Sequence, residues 1–257
     1  NVFRFDEVIG TFEPTRVELV EEGPVRGMIR VTSTFGESEL VQEFLLYAGR
    51  ERVDVRVRLD WHERHAMLKL VFPVNLIFTR QSFEIPFGSI DRPHDGDEEP
   101  GQTWVDYSGT ARGVNTRWGV SLINTAKYSY SISNKELALT VVRSPIFAHH
   151  DPLVPEEGKR YSYIDQGLHR FTYALYPHAG SWEGARTVRH AAELNRPPVI
   201  VPESFHDGPA QPAGSMVEIV APGAEVSAVK RAEDGDELVV RVYETRKQRT
   251  SGELRVP

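Results

Sequence analysis

Five carboxylates, Asp91, Asp95, Asp97, Glu98 and Glu99, fall within nine residues. Paired carboxylates serve glycoside hydrolysis, where one donates a proton and the other attacks or activates water. Several oxygens together also suit calcium. The EF-hand spacing is absent, and the run lies among Pro93, Gly96 and Pro100, so the plainer reading is a solvated acidic loop. His149-His150-Asp151 offers imidazole and carboxylate, which suit zinc. Adjacent side chains seldom reach one ion, and no His-Glu-x-x-His accompanies them, so the string reads first as a turn before Pro152. His169 and His178 flank an expected strand, and either is a candidate proton carrier if it faces a cleft. Trp104, Trp118, Tyr128, Tyr130 and Trp182 offer flat faces for sugar stacking, although core packing accounts for the same residue types. Arg92 and Arg143 stand close to prolines, where a guanidinium can hold a ligand carboxylate or pin a loop. The chain has no Gly-x-Ser-x-Gly elbow, no P-loop and no dinucleotide fingerprint.

The elements that must carry these groups are strands. In Arg52–Trp61 apolar and charged residues alternate without a break, the period of a half-buried strand in an antiparallel sheet. The same period recurs at Met28–Thr34, Glu39–Tyr47, Leu137–Val142, Arg170–Tyr176 and Glu237–Glu244. Met67–Phe78 is apolar with weaker alternation and reads as one strand buried on both faces. Turn clusters such as Glu22-Gly23-Pro24, Ala48-Gly49 and Asp234-Gly235 punctuate the strands. One helix is expected, capped by Ser181, with Trp182, Ala185, Val188 and Ala192 near helical spacing, and stopped by Asn195 and Pro197-Pro198. A Pro/Gly-rich stretch from Asp207 to Gly214 reads as a linker, and strand-like segments follow at Ser215–Val229 and Glu237–Glu244. A domain boundary is therefore expected near residue 200. The pattern is all-β, a sandwich and not a βαβ fold.

Composition narrows the function classes. At 257 residues the chain is long enough to bury a core without staples. Its net charge of −7 and lack of a dominant basic patch argue against nucleic acid as a partner. No apolar run approaches the ~20 residues a membrane helix needs. There is no cysteine, hence no disulfide or thiolate chemistry, which points to a cytoplasmic location. Arginine supplies 24 of the 30 basic residues, a bias suggesting a bacterial source. The sequence begins Asn1-Val2-Phe3, in mid-pattern, and reads as a piece of something longer.

Specific strings add a resemblance. Leu59-Asp60-Trp61-His62-Glu63-Arg64-His65 with Leu68–Val74, Phe83–Pro93, Gln102–Ser108, Gly119–Asn124 with Lys127-Tyr128, Leu139–Pro145, Asp165–Gly180, and Val226–Lys230 running on to Val240–Glu244 occur in that order. Together they resemble the C-terminal β-region of bacterial family 38 glycoside hydrolases, the α-mannosidases. The resemblance implies a galactose-mutarotase-like β-supersandwich, lacking its first strands, over residues 1–200 with one short helix. The start of a smaller terminal β-sandwich follows over 201–257. It implies a non-catalytic role: packing on an N-terminal catalytic barrel absent from this chain and helping to wall its substrate groove. The parent would hydrolyse α-mannosides with retention. No cofactor is implied in this chain, and the family's divalent metal, zinc, belongs to the missing barrel. The partners implied are that barrel and a mannose-containing saccharide, with neither nucleic acid nor membrane. Asn124-Thr125 and Ser129 depart from the family's usual Asn-Asp and Gly, so no ligand role is carried onto the Asn124–Tyr130 loop. The groove candidates are Arg92, His94, Trp104, Asp106 and His178, polar and aromatic groups in or near turn-rich segments. Rival readings are a free carbohydrate-binding module, an oligomerisation domain with an exposed apolar face, and a mutarotase-type epimerase. The last needs a paired histidine and carboxylate in a cleft.

Overall fold

The computed structural model describes residues 7–133, 135–147, 156–204, 207–208 and 213–256. The His149-His150-Asp151 string lies outside them. The first four strands, β1 (Glu13–Glu22), β2 (Arg26–Phe35), β3 (Ser38–Tyr47) and β4 (Val53–Trp61), form an antiparallel meander. Its tight turn at Gly36 needs a positive φ of 55°. A Cβ there would also strike the Glu63 carboxylate, whose Oε1 accepts hydrogen bonds from the Glu37 N–H and the Ser38 hydroxyl. In β4 the expected alternation holds: Val55, Val57, Leu59 and Trp61 are buried, and Arg56 and Arg58 are exposed.

After β4 come β5 (Met67–Pro73), β6 (Leu76–Ile85), β7 (Gly88–Asp91), β8 (Glu99–Pro100) and β9 (Trp104–Ala111). β10 (Arg117–Asn124), β11 (Ser129–Ser133), β12 (Glu136–Arg143) and β13 (Gly167–Ala179) follow. They complete two layers. The larger sheet has the order β1-β2-β3-β4-β13-β10-β9-β6-β7, and the smaller has β5-β12-β11-β8. Between them lies the main core, with Val55, Leu59, Trp61, Phe83, Leu122, Tyr130, Leu137, Leu139 and Tyr173 among its members. Burial of this much apolar surface is the dominant favourable term in the fold.

Met67–Phe78 is not one strand. Pro73 ends β5, the chain crosses at Val74-Asn75, and β6 joins the other sheet. Nor is β5 buried on both faces: among the described residues it pairs with β12 alone, lies at the sheet's edge, and leaves Val71 46% exposed. The expected single helix is two, α1 (Trp182–Ala185) and α2 (Thr187–Asn195). They are divided at Arg186, whose φ of 57° no continuous helix allows. The Ser181 hydroxyl makes no capping bond to the helix backbone. Asn195 is the last helical residue, and its side-chain amide donates to the carbonyls of Asn124 and Ala191. Both helices cover the outer face of the large sheet, where Trp104, Ile123, Ala174, Tyr176, Trp182 and Ala191 form a second core.

Beyond the helices come β14 (Glu218–Val220), β15 (Ala224–Arg231), β16 (Leu238–Glu244) and β17 (Glu253–Arg255), in two two-stranded sheets. The expected Ser215–Val229 strand is thus β14 and β15, split by a turn with Gly223 at φ 71°. Arg246 donates to the Glu183 carbonyl, and Tyr243 meets Phe87 edge-on at 5.7 Å, tying this region to the larger sandwich.

Candidate functional site

Asp106 and His178 are distant in sequence but adjacent in space. Register across β9, β10 and β13 sets Asp106 beside Ser121, and His178 beside Gly119, two positions along β10 and so on the same face of the sheet. The His178 Nε2–H donates to Asp106 Oδ2 over 2.7 Å, and the Ser121 hydroxyl donates to the same oxygen over 2.8 Å. Ser108 donates to Oδ1, and Thr187, at the start of α2, donates to the Ser121 oxygen over 2.7 Å. Gly119 makes room for this cluster, since a Cβ there would lie 2.7 Å from Ser108 Oγ and 2.8 Å from His178 Cε1. The carboxylate accepts three bonds, which is how a buried charge is kept tolerable. With side chains only 1% and 3% exposed, Asp106 and His178 have no open face for substrate. The arrangement locks α2 onto the sheet. The pairing a mutarotase-type epimerase needs is present in kind, but it sits beneath a helix and not in a cleft.

Trp104 points to the same face of β9 and is 1% exposed, packed against Trp182 with ring centroids 4.8 Å apart. The five aromatics form no single platform. Tyr130 and Trp182 are buried, Trp118 packs against the main core, and Tyr128 is exposed. Arg92 and His94 lie apart from this cluster, after β7. Arg92 donates to Glu99 Oε2 over 2.7 Å and covers the Phe83 ring, so it pins the acidic loop, while His94 is exposed.

The acidic run is mostly engaged in holding itself. Asp91 takes bonds from Arg80 and Ser82. Glu98 pairs with Lys69 and accepts from the Ser129 and Thr140 hydroxyls. Burial alone would raise the Glu98 carboxyl, but those three partners outweigh it and hold it below the ordinary carboxylate value of 4.5. Because the folded value is depressed, this contribution to stability is fully present above the unfolded value. It is lost as pH falls through the folded one. Glu98→Gln is therefore expected to lower stability at neutral pH and to flatten its decline below about pH 4.5, as read by urea unfolding at stepped pH. An unchanged acid profile would contradict this.

The Asn124–Tyr130 loop, onto which no ligand role is carried from the resemblance, has a structural one. Asn124 Oδ1 accepts from the N–H groups of Ala126 and Lys127, and its amide donates to the Tyr130 hydroxyl, which in turn donates to the Gln102 carbonyl. His169 shares a hydrogen bond with the Asp165 carbonyl. Among the described residues no group of three or more His, Asp or Glu could hold a metal ion.

Two face-to-face antiparallel sheets, helices on the outer face of one, and a further pair of small β-sheets define an all-β sandwich. The chain belongs to glycosyl hydrolases family 38, as part of its C-terminal region. The family's C-terminal domain description matches residues 6–152, and its C-terminal beta sandwich domain matches 223–257. Alpha-mannosidase G of Dictyostelium discoideum is 27% identical over 95% of the chain and 22% of its own length. Alpha-mannosidase 2C1 of Homo sapiens is 31% identical over 80% of the chain and 19% of its own length. An alpha-mannosidase structure from Enterococcus faecalis V583 superposes with a TM-score of 0.77 at 16% identity, over 95% of this chain and 31% of that one. The chain thus spans about a fifth of the curated relatives and a third of the structural one.

Proposed function

We propose that this chain is the non-catalytic docking portion of an α-mannosidase-type glycoside hydrolase, packing on a catalytic domain it does not contain and helping to wall the substrate groove. The observation that carries this reading is an uncovered apolar sheet face. Along one register row, Val55, Phe44, Ile29 and Leu19 all face the core side of the large sheet. Val55 is 0% exposed, Ile29 45% and Leu19 64%. Val17 and Leu46 extend the same surface. The smaller sheet stops at β5. Leu40 and Phe44 of β3 still join the main core and Phe12 packs on Phe35, but Leu19, Ile29 and Leu46 stay open, and β5 has no second strand partner among the described residues. A contiguous apolar face beside an open strand edge is a docking surface or an aggregation hazard.

In this reading the parent hydrolyses α-mannosides with retention, and its divalent metal and nucleophile lie outside this chain. Residues 1–200 serve as the docking sandwich and 201–257 open the terminal one. Exposed His94 is the member of the expected groove set best placed to reach a saccharide. The absence of cysteine supports a cytoplasmic setting.

Hydrogen exchange tests the docking face. In a longer form carrying the upstream domain, amides of β1 to β3 and alternate amides of β5 are expected to exchange at least about tenfold more slowly than in the 257-residue chain, as paired groups do. Equal exchange in the two forms would sink the proposal. Protection already present in the short chain, dependent on its concentration, would favour the oligomerisation reading.

A further inference from the structure

The outer face of the large sheet, past the end of α2, carries a second surface that the docking role does not use. Register sets Arg30, Glu43, Arg56 and Thr172 in one row across β2, β3, β4 and β13, and Thr32, Val41, Arg58 and Arg170 in the next. With Arg16, Glu18 and Thr125 these residues line an open groove of about 680 Å³. Five arginines and two glutamates give it an excess of three positive charges, in a chain whose net charge is −7.

The glutamates do not neutralise it. Glu43 is bound to Arg30 at 2.8 Å, and Glu18 to Arg16 at 2.8 Å. Arg58 reaches out to Glu39 at the same distance. Arg56 and Arg170 are exposed and have no ion pair among the described residues. Arg170 is also the direct cross-strand partner of Arg58. Like charges directly opposite on a sheet are destabilising, and an anion seated between them removes that cost. Guanidinium forks match the geometry of phosphate oxygens, and unlike ammonium groups they hold it in a fixed orientation. The hydroxyls of Thr125 and Thr172 stand on the same wall, and the groove is of the size that holds a small ligand.

We propose that this groove binds a phosphomonoester, free or carried on a hexose, between Arg56, Arg58 and Arg170. Calorimetric titration of the 257-residue chain at low ionic strength with inorganic phosphate, mannose 6-phosphate, mannose and sulfate tests it. Phosphate and mannose 6-phosphate are expected to bind and mannose not to. Tighter binding of mannose 6-phosphate assigns the sugar-borne group, and equal binding assigns free phosphate. Arg56→Gln combined with Arg170→Gln, both at exposed positions, should weaken binding roughly tenfold or more, the scale of lost charge-assisted bonds, with a thermal midpoint that does not fall, since the opposed Arg58–Arg170 pair is relieved. Arg112→Gln, an exposed arginine in the turn after β9, should leave binding unchanged. No binding at millimolar phosphate, sulfate binding as tightly as phosphate, or an Arg112→Gln loss equal to that of the double variant would each overturn the assignment.

Discussion

Asp106→Ala is expected to lower the unfolding free energy by about 3–5 kcal/mol, the scale for removing one member of a buried charged cluster. Three donors lose their acceptor at once: the Ser108 and Ser121 hydroxyls and the His178 ring N–H. With side chains 1% and 3% exposed, these donors have no bulk water to turn to. Through Ser121 and Thr187 the loss reaches α2, so the helix is expected to exchange its amides faster as well. For a chain of this size the thermal midpoint should fall by roughly 6–20 °C. Asp106→Asn should recover part of the loss, because a neutral histidine can change tautomer and accept from the new amide. Denaturant titration of both variants measures this. A cost below about 1 kcal/mol for Asp106→Ala, the worth of one ordinary hydrogen bond, would show that the cluster is not what holds α2.

Trp182→Ala is expected to cost a similar 3–5 kcal/mol, the usual range for emptying a buried aromatic site. Trp182 is 2% exposed and sits with Trp104, Ile123 and Tyr176 under α1. The variant should also loosen the terminal strands, because Arg246 is anchored on the carbonyl of the next residue, Glu183. Trp182→Phe should cost less than about half as much, since the indole N–H has no hydrogen-bond partner to lose. Chemical denaturation gives both values, and limited proteolysis after residue 213 reads the loosening. Equal costs for the two replacements would mean that the indole N–H does contribute.

How much of this was legible in the sequence depended on which faces each strand presents. β4 has one buried and one charged face, and its alternation reads directly from Val53 to Trp61. β9 does not read that way. Its second face carries Trp104, Asp106 and Ser108, all buried beneath the helices, so polar residues stand where a pattern would place solvent. The same applies to Ser121 on β10. The break of Met67–Phe78 had a visible signal in Pro73, whose missing N–H ends ladder pairing, but its consequence, a crossing between sheets, is a tertiary matter. The division of the helix at Arg186 carried no signal of residue type, because arginine has no preference for a positive φ. Among the expected groove residues, Asp106 and His178 do come together, although nothing in their spacing of 72 positions announces it. Their burial, and that of Trp104, follows from α1 and α2 folding back over β9, β10 and β13. The uncovered face of β1 to β3 was legible only as an ordinary amphipathic meander, since a strand's pattern does not say whether its apolar side is covered.

Under the proposed function this chain supplies structure to a metal-dependent mannosidase and not its chemistry. This is tested most directly by assaying the 257-residue chain and a longer form with the upstream domain on an aryl α-mannoside, each with and without a chelator. Turnover by the longer form alone, abolished by chelation, is the expected result. Turnover by the 257-residue chain that survives chelation and repurification would contradict it.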